Sequence, residues 1–329
     1  MDTARAMDSF TLNRLRMFAL QWLCSLALLC GACFSLAATD THIAVLLSGK
    51  TPYYIDASEQ LQTTLHENLQ HPPQLDVVQI SDTKPKELES KNYRLIVTVG
   101  STAAQFAASN LNHTPILTTF LPKSSFEKIT RNLPSDRLNR FSAVYLDQPL
   151  QRIVNLGRLL KPEAEDIGTV LGPISKSYLD ELIRIAQQQG FNLHTRTLGN
   201  QDNPVAALKP VVATSDLFIA IPDQAILNRS VAKWILYLSY SEKIPVIGFS
   251  KAYTDAGALA SVFSSPRDIG RQTGELISRW INNGDELIWA PQYPKYCTVK
   301  ANPAVARSLG IHLPGEQELT SLFEAMEHK

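Results

Sequence analysis

The residues of this chain with chemistry to offer stand where short apolar runs end and helical patterns begin. Gly100-Ser101-Thr102-Ala103-Ala104 is the most suggestive of these turns: a glycine, two hydroxyls, then small residues that open a helix. Unpaired backbone N–H groups and the helix dipole favour a carboxylate or other anion at such an end, and both hydroxyls can add bonds. The plainer reading is that Ser101 only caps the helix. Asp223 holds the matching turn after Phe218-Ile219-Ala220-Ile221-Pro222, where it either accepts bonds from an ammonium group or serves as an N-cap. Ser48 to Tyr54 (SGKTPYY) forms the first such loop, and Tyr54 either stacks on an apolar ligand or packs at the surface. Ser250 opens the last, SKAY.

Catalytic constellations are missing from the sequence. It has no G-x-G-x-x-G loop, no G-x-x-x-x-G-K-[ST] loop and no G-x-S-x-G elbow, since Gly248-Phe249-Ser250-Lys251 continues to Ala252. The seven histidines lack the spacing that aims two imidazoles at one zinc ion. Cys297 is far from the other cysteines and reads as an inert thiol. No cofactor, no metal and no enzymatic activity is expected.

The elements that position these turns follow from periodicity. HIAVLLS (42–48), LDVVQI (75–80), YRLIVTVG (93–100), TPILTTFL (114–121) and FSAVYLD (141–147) read as strands buried on both faces, because their apolar runs are continuous rather than alternating. Helical patterns lie between them, such as Leu61, Leu65 and Leu69 at i, i+4, i+8. The pattern restarts after Asp147 with strands at 166–172, 191–198, 216–222 and 244–250. This predicts an α/β protein of two Rossmann-like lobes with parallel sheets, joined by a hinge that the chain crosses more than once. The expected first lobe is 40–147 plus about 258–285, and the second is 148–257 plus about 286–329.

The first forty residues are of another kind. Arg14 and Arg16 precede an uncharged run from Met17 to Thr39, apolar to Leu29 and rich in small residues after it. That is the pattern of a secretory signal peptide, with Ser35-Leu36-Ala37 suited to cleavage after residue 37 or 38. Two rivals stay open: a lipoprotein leader, in which Gly31-Ala32-Cys33 makes Cys33 the lipidated N-terminus, and an uncleaved signal anchor of about twenty residues. All three put residues 40–329 across the inner membrane, in the periplasm.

The 329-residue length suits two domains, and the charge excludes some partners. With 31 Lys+Arg against 31 Asp+Glu and no long charge run, a nucleic-acid or polybasic membrane-surface binder is not expected. Cleavage would remove three Arg and two Asp, leaving 28 basic against 29 acidic residues and a single cysteine.

Three blocks carry a family resemblance: VTVGSTAAQFA (97–107), AIPDQAILNRSVAKWIL (220–236) and IPVIGFSKAYTDAGALASVFSSPRDIGRQTGELI (244–277). They resemble ABC-transporter substrate-binding proteins of the type I periplasmic-binding class, in the subgroup that includes aromatic amino-acid binders. The resemblance runs from about Ile43 to Lys300. It implies two lobes closing on a small-molecule ligand, such as an amino acid or related compound, a permease partner in the inner membrane, and a monomer. Carried over by position, it places Ser101 and Thr102 on the first-lobe side of the cleft, and Asp223 with Asn228 on the second. Phe249-Ser250-Lys251-Ala252-Tyr253 departs from the acidic or small residues that follow the IPVI strand in amino-acid binders, which leaves the ligand open. The alternative function is a membrane-anchored envelope interaction or sensory module of the same fold.

Overall fold

A computed structural model of the protein describes residues 42–199, 201–223, 229–283 and 290–327. The signal-peptide reading, Cys33 and Asn228 lie outside the described residues.

The first half alternates β1 (His42–Leu47), α1 (Pro52–Asn68), β2 (Gln74–Gln79), α2 (Pro85–Ser90), β3 (Leu95–Val99), α3 (Ser101–Asn110), β4 (Ile116–Leu121), α4 (Lys123–Thr130), α5 (Ser135–Leu138) and β5 (Phe141–Tyr145). Its five strands pair in parallel in the order β2-β1-β3-β4-β5. The continuous apolar runs have the expected cause. Along β1, Ile43, Val45 and Leu47 enter the core under α1 with Leu61 and Leu65, while Ala44 and Leu46 enter the opposite core with Ala103 and Ala107 of α3. Successive side chains point to opposite faces, so both must be apolar when helices cover both. Each such fully buried aliphatic side chain contributes about 1.5–3 kcal/mol.

The second half runs α6 (Leu150–Leu160), β6 (Asp166–Leu171), α7 (Leu179–Gln188), β7 (Asn192–Thr197), α8 (Pro204–Ala213), β8 (Leu217–Ile219), α9 (Arg229–Ser241), β9 (Val246–Gly248), α10 (Lys251–Asp255), β10 (Ala260–Phe263), α11 (Pro266–Asn283), β11 (Thr298–Ala301), α12 (Pro303–Leu309) and α13 (Glu316–Glu327). A 3₁₀ turn at Ser175–Tyr178 leads into α7. The second sheet has the order β11-β10-β9-β8-β6-β7, parallel except where β10 meets β11.

One boundary differs from expectation. Residues 258–263 are expected in the first lobe, but β10 pairs with β9 through Ala260–Ile247 and Ser261–Gly248, so it belongs to the second. The reason is packing: Leu259, Ala260 and Val262 complete the core formed by α6 and β6. Among the described residues, α11 returns to the first lobe, and so do Gln292 and Tyr293, which the expected boundary at about 286 had in the second. From α11, Ile277 and Trp280 join the core under α1, and Ile269 and Leu276 cover Val144. The two helices approach closely at Gly270, where a Cβ would stand 2.2 Å from the Ala57 carbonyl oxygen. Gln292 then bridges to Val144 at the edge of the first sheet before the chain enters β11. The chain therefore passes between the lobes at residues 146–149, at 264–265 and at 293–297.

Candidate functional site

In a parallel sheet flanked by helices, ligands sit outside the carboxyl ends of the strands. At that end of the first lobe the structure brings Ser48, Tyr54 and Ser101 around Gly100. Gly100 has φ +93°, a conformation open to glycine, and a Cβ there would lie 2.7 Å from Ser48 Oγ and 2.9 Å from the Tyr54 ring. With a glycine at the N-cap, α3 has no cap from its own segment. Ser48 Oγ supplies it from β1 by accepting the Ala103 N–H at 2.8 Å. Ser101 is half-buried and Thr102 exposed. The Tyr54 ring meets Phe120 edge-on, with centroids 5.8 Å apart. Phe120 itself has φ +56°, at the point where the β4 register shifts.

In the second lobe the expected ammonium acceptor is already engaged. Asp223 is 2% exposed. Its Oδ2 accepts the N–H of Ile174 at 3.0 Å, the N–H of Ser175 at 2.7 Å and the Ser175 hydroxyl at 2.8 Å. Those bonds tie the end of β8 to the turn that precedes α7. Ser250 caps α10 by accepting the Tyr253 N–H at 3.3 Å.

Between the lobes, beside the crossings, lies a cavity of about 320 Å³. The first lobe lines it with Pro122, Ser124, Leu146 and Asp147, and the second with Tyr178, Ile221, Pro222, Phe249, Ser250 and Phe263. Gln148, Ser264 and Tyr293 of the crossings close it. A largely apolar concavity with a few convergent polar groups is the form small-molecule sites take. Ser250 lines it; Ser48, Tyr54, Ser101, Thr102 and Asp223 do not.

The charge of this cavity comes from residues that no sequence motif marks, Asp147 and Lys123. Asp147 follows β5 and accepts the backbone N–H of Lys123 on Oδ2. Burial pushes its carboxyl above the usual carboxylate range, opposed in part by the Lys123 amide. The Lys123 ammonium lies 3.2 Å from Tyr293 Oη, 5.6 Å from the centre of the Tyr178 ring and 5.4 Å from that of Tyr293. A first-lobe cation is thus held by a second-lobe ring. Burial also raises the Tyr178 and Tyr145 hydroxyls, Tyr145 to about 12, so both rings stay neutral. Asp147 was discoverable, being a polar residue at a strand's carboxyl end like Ser101 and Asp223. Nothing local marks Tyr293, which arrives from 146 residues further along the chain.

Among the described residues no group of three or more His, Cys, Asp or Glu side chains is placed to hold a metal ion. No helix of those residues is long and apolar enough to cross a membrane.

Comparison with solved structures gives the same architecture. The ligand-free, open form of CD0873, a substrate binding protein with adhesive properties from Clostridium difficile, aligns over 84% of this chain and 97% of its own at TM-score 0.67 and 18% identity. The ABC domain from Streptococcus pneumonia in complex with L-Trp aligns over 86% of this chain and 98% of its own at TM-score 0.57 and 20% identity. A conserved domain protein from Vibrio cholerae aligns over 86% and 98% at TM-score 0.56 and 21% identity. At these identities the likeness establishes the fold, two α/β lobes of the type I periplasmic-binding class. No curated protein sequence matches the chain. The family model for the ABC transporter substrate binding protein matches residues 41–319, nearly all of the two-lobed body, and the chain belongs to that family.

Proposed function

We propose that this chain is the extracytoplasmic solute-binding component of an ABC-type uptake system, working in the periplasm as a monomer without catalysis. It takes a small solute, an amino acid or related compound, between its lobes and presents the closed form to a permease in the inner membrane. The observation that carries this reading is the apolar cavity of about 320 Å³ shared by two lobes that are joined by three passages of chain. A ligand that touches both walls binds the closed arrangement more tightly than the open one, and that difference drives closure. Ser101 and Thr102, at the carboxyl end of the first sheet, would extend the cleft toward an anionic group, and Ser48 and Tyr54 pack around their turn.

Native mass spectrometry of protein purified from its own periplasm, with a thermal-shift panel of amino acids, amines, organic acids and short peptides, tests the reading. A co-purifying solute, or a rise in melting temperature with one chemical class, is the expected result. A protein that carries no solute and is stabilised by no member of the panel would instead favour a membrane-anchored interaction module.

A further inference from the structure

We infer that the cavity beside the crossings is a site for a small organic cation, whose ammonium group pairs with Asp147 while its apolar body lodges against Tyr178, Phe249 and Tyr293. The inference rests on the solute-binding reading and names the ligand's charge.

The argument begins with the two carboxylates near the cleft. Asp223 is buried and its Oδ2 already accepts three donors. Asp147 lines the cavity, and the Lys123 amide fixes its orientation from one side. Among the described residues no Lys, Arg or His nitrogen pairs with it. Lys123 acts on this carboxylate from a distance without pairing with it, so the cost of its burial is offset only in part, and a ligand ammonium in contact with it offsets more.

The surrounding charge points the same way. Lys123 is the nearby cation; besides acting on Asp147 from a distance, it lies 4.0 Å from Glu127 and meets the Tyr293 hydroxyl and two ring faces. Glu127 and Glu181 both act on it and on the Tyr178 hydroxyl. Three carboxylates against one ammonium leave a negative field, which draws in a cation and repels an anion. Tyr178 and Tyr293 already hold one ammonium by their faces, and Ser124 and Ser264 offer hydroxyl oxygens to a second.

Three probes that share a phenyl ring and differ in charge separate the possibilities: phenylethylamine, phenylalanine and 3-phenylpropionate, titrated calorimetrically into the protein at neutral pH. The expected order has phenylethylamine at least as tight as phenylalanine and 3-phenylpropionate at least tenfold weaker. Asp147→Asn should weaken the amine at least tenfold. Ser124→Lys, which adds a positive charge to the same wall, should do the same and spare the propionate, so the test does not depend on one variant folding. Tightest binding by the propionate, or amine binding indifferent to both substitutions, overturns the inference and leaves the solute-binding reading standing. Binding of none of the three also overturns it, and the wider thermal-shift panel then decides separately whether the protein takes any solute.

Discussion

The Gln148 side-chain amide donates to Ser264 Oγ at 2.8 Å, and the two residues belong to different passages of chain between the lobes. Ser264 Oγ in turn donates to the Tyr296 carbonyl in the third passage, so one hydroxyl joins all three. Gln148 Oε1 accepts from Arg152 at 2.9 Å, and Arg152 also reaches the Pro294 carbonyl at 2.7 Å and the Glu327 carboxylate. The crossings therefore form one hydrogen-bonded bundle rather than three separate linkers.

Ser264→Ala should accordingly destabilise the fold beyond the loss of a surface hydroxyl. Gln148 and Ser264 are 6% and 7% exposed, so the amide and the Tyr296 carbonyl would be left without partners in a poorly hydrated place. Each unsatisfied group costs about 1–3 kcal/mol, so with two of them urea unfolding should register a loss of about 2–6 kcal/mol. A midpoint equal to that of the wild type would mean the bundle contributes nothing to stability.

Much of the architecture was legible because strands buried on both faces leave uninterrupted apolar runs, as in Ile43 to Leu47 and Leu95 to Val97. The assignment of Ala258 to Phe263 to the first lobe failed for a physical reason. A four-residue strand has no preference for one sheet over another, and its place follows from Leu259 and Val262 meeting side chains of α6, more than a hundred residues earlier. At the cavity the strand-end rule places Ser250 alone of the described site residues, since Ser48, Tyr54, Ser101, Thr102 and Asp223 do not line it. Ser250 reached the cavity because the strand-end rule is local. The rule also predicts Asp147, but reading Asp147 as the last residue of a strand hid it, and Lys123 and Tyr293 matter only through contacts made across the cleft.

Gly270→Ala tests the seating of α11 on the first lobe. The added methyl would meet the Ala57 carbonyl oxygen at 2.2 Å, a backbone atom that cannot swing aside like a side chain. Helix propensity favours alanine by about 1 kcal/mol, and overpacking costs about 1–3 kcal/mol or more. The contact is severe enough for overpacking to win, so chemical denaturation should show net destabilisation. A stabilised variant would mean α1 and α11 sit further apart than described.

Asp223→Ala separates a scaffold role from a ligand role. Its carboxylate holds two backbone N–H groups and the Ser175 hydroxyl, all within 3.0 Å. Removing it strands those donors at a cost of about 3 kcal/mol, since charge-assisted bonds are the stronger kind. The ligand-free protein should melt earlier, while phenylethylamine binding measured well below that temperature should change less than tenfold. Unchanged stability together with lost binding would return Asp223 to the ligand.

The pH dependence of amine binding follows from Asp147. Burial raises the carboxyl in the folded protein, so its protonated form is favoured there relative to the unfolded chain. This contribution to stability is fully present below the ordinary carboxylate pKa and is lost as pH rises through the raised folded value. Amine binding has the opposite sign, because it needs the ionised carboxylate. Phenylethylamine keeps its proton throughout the acid range, as a lysine does with a pKa near about 10.4. Its affinity should level off above the raised Asp147 value and fall up to about tenfold per pH unit below it, beginning above the pH at which exposed aspartates titrate. Around Asp147, Lys123 stays charged and Tyr145, Tyr178 and Tyr293 stay neutral over that range. Glu127 and Glu181 remain as the other acids that face the site, and the Asp147→Asn variant isolates them. Calorimetry from pH 4 to 8 on both proteins should give a steep profile for the wild type and a shallow one for the variant, and parallel profiles would assign the titration to the glutamates.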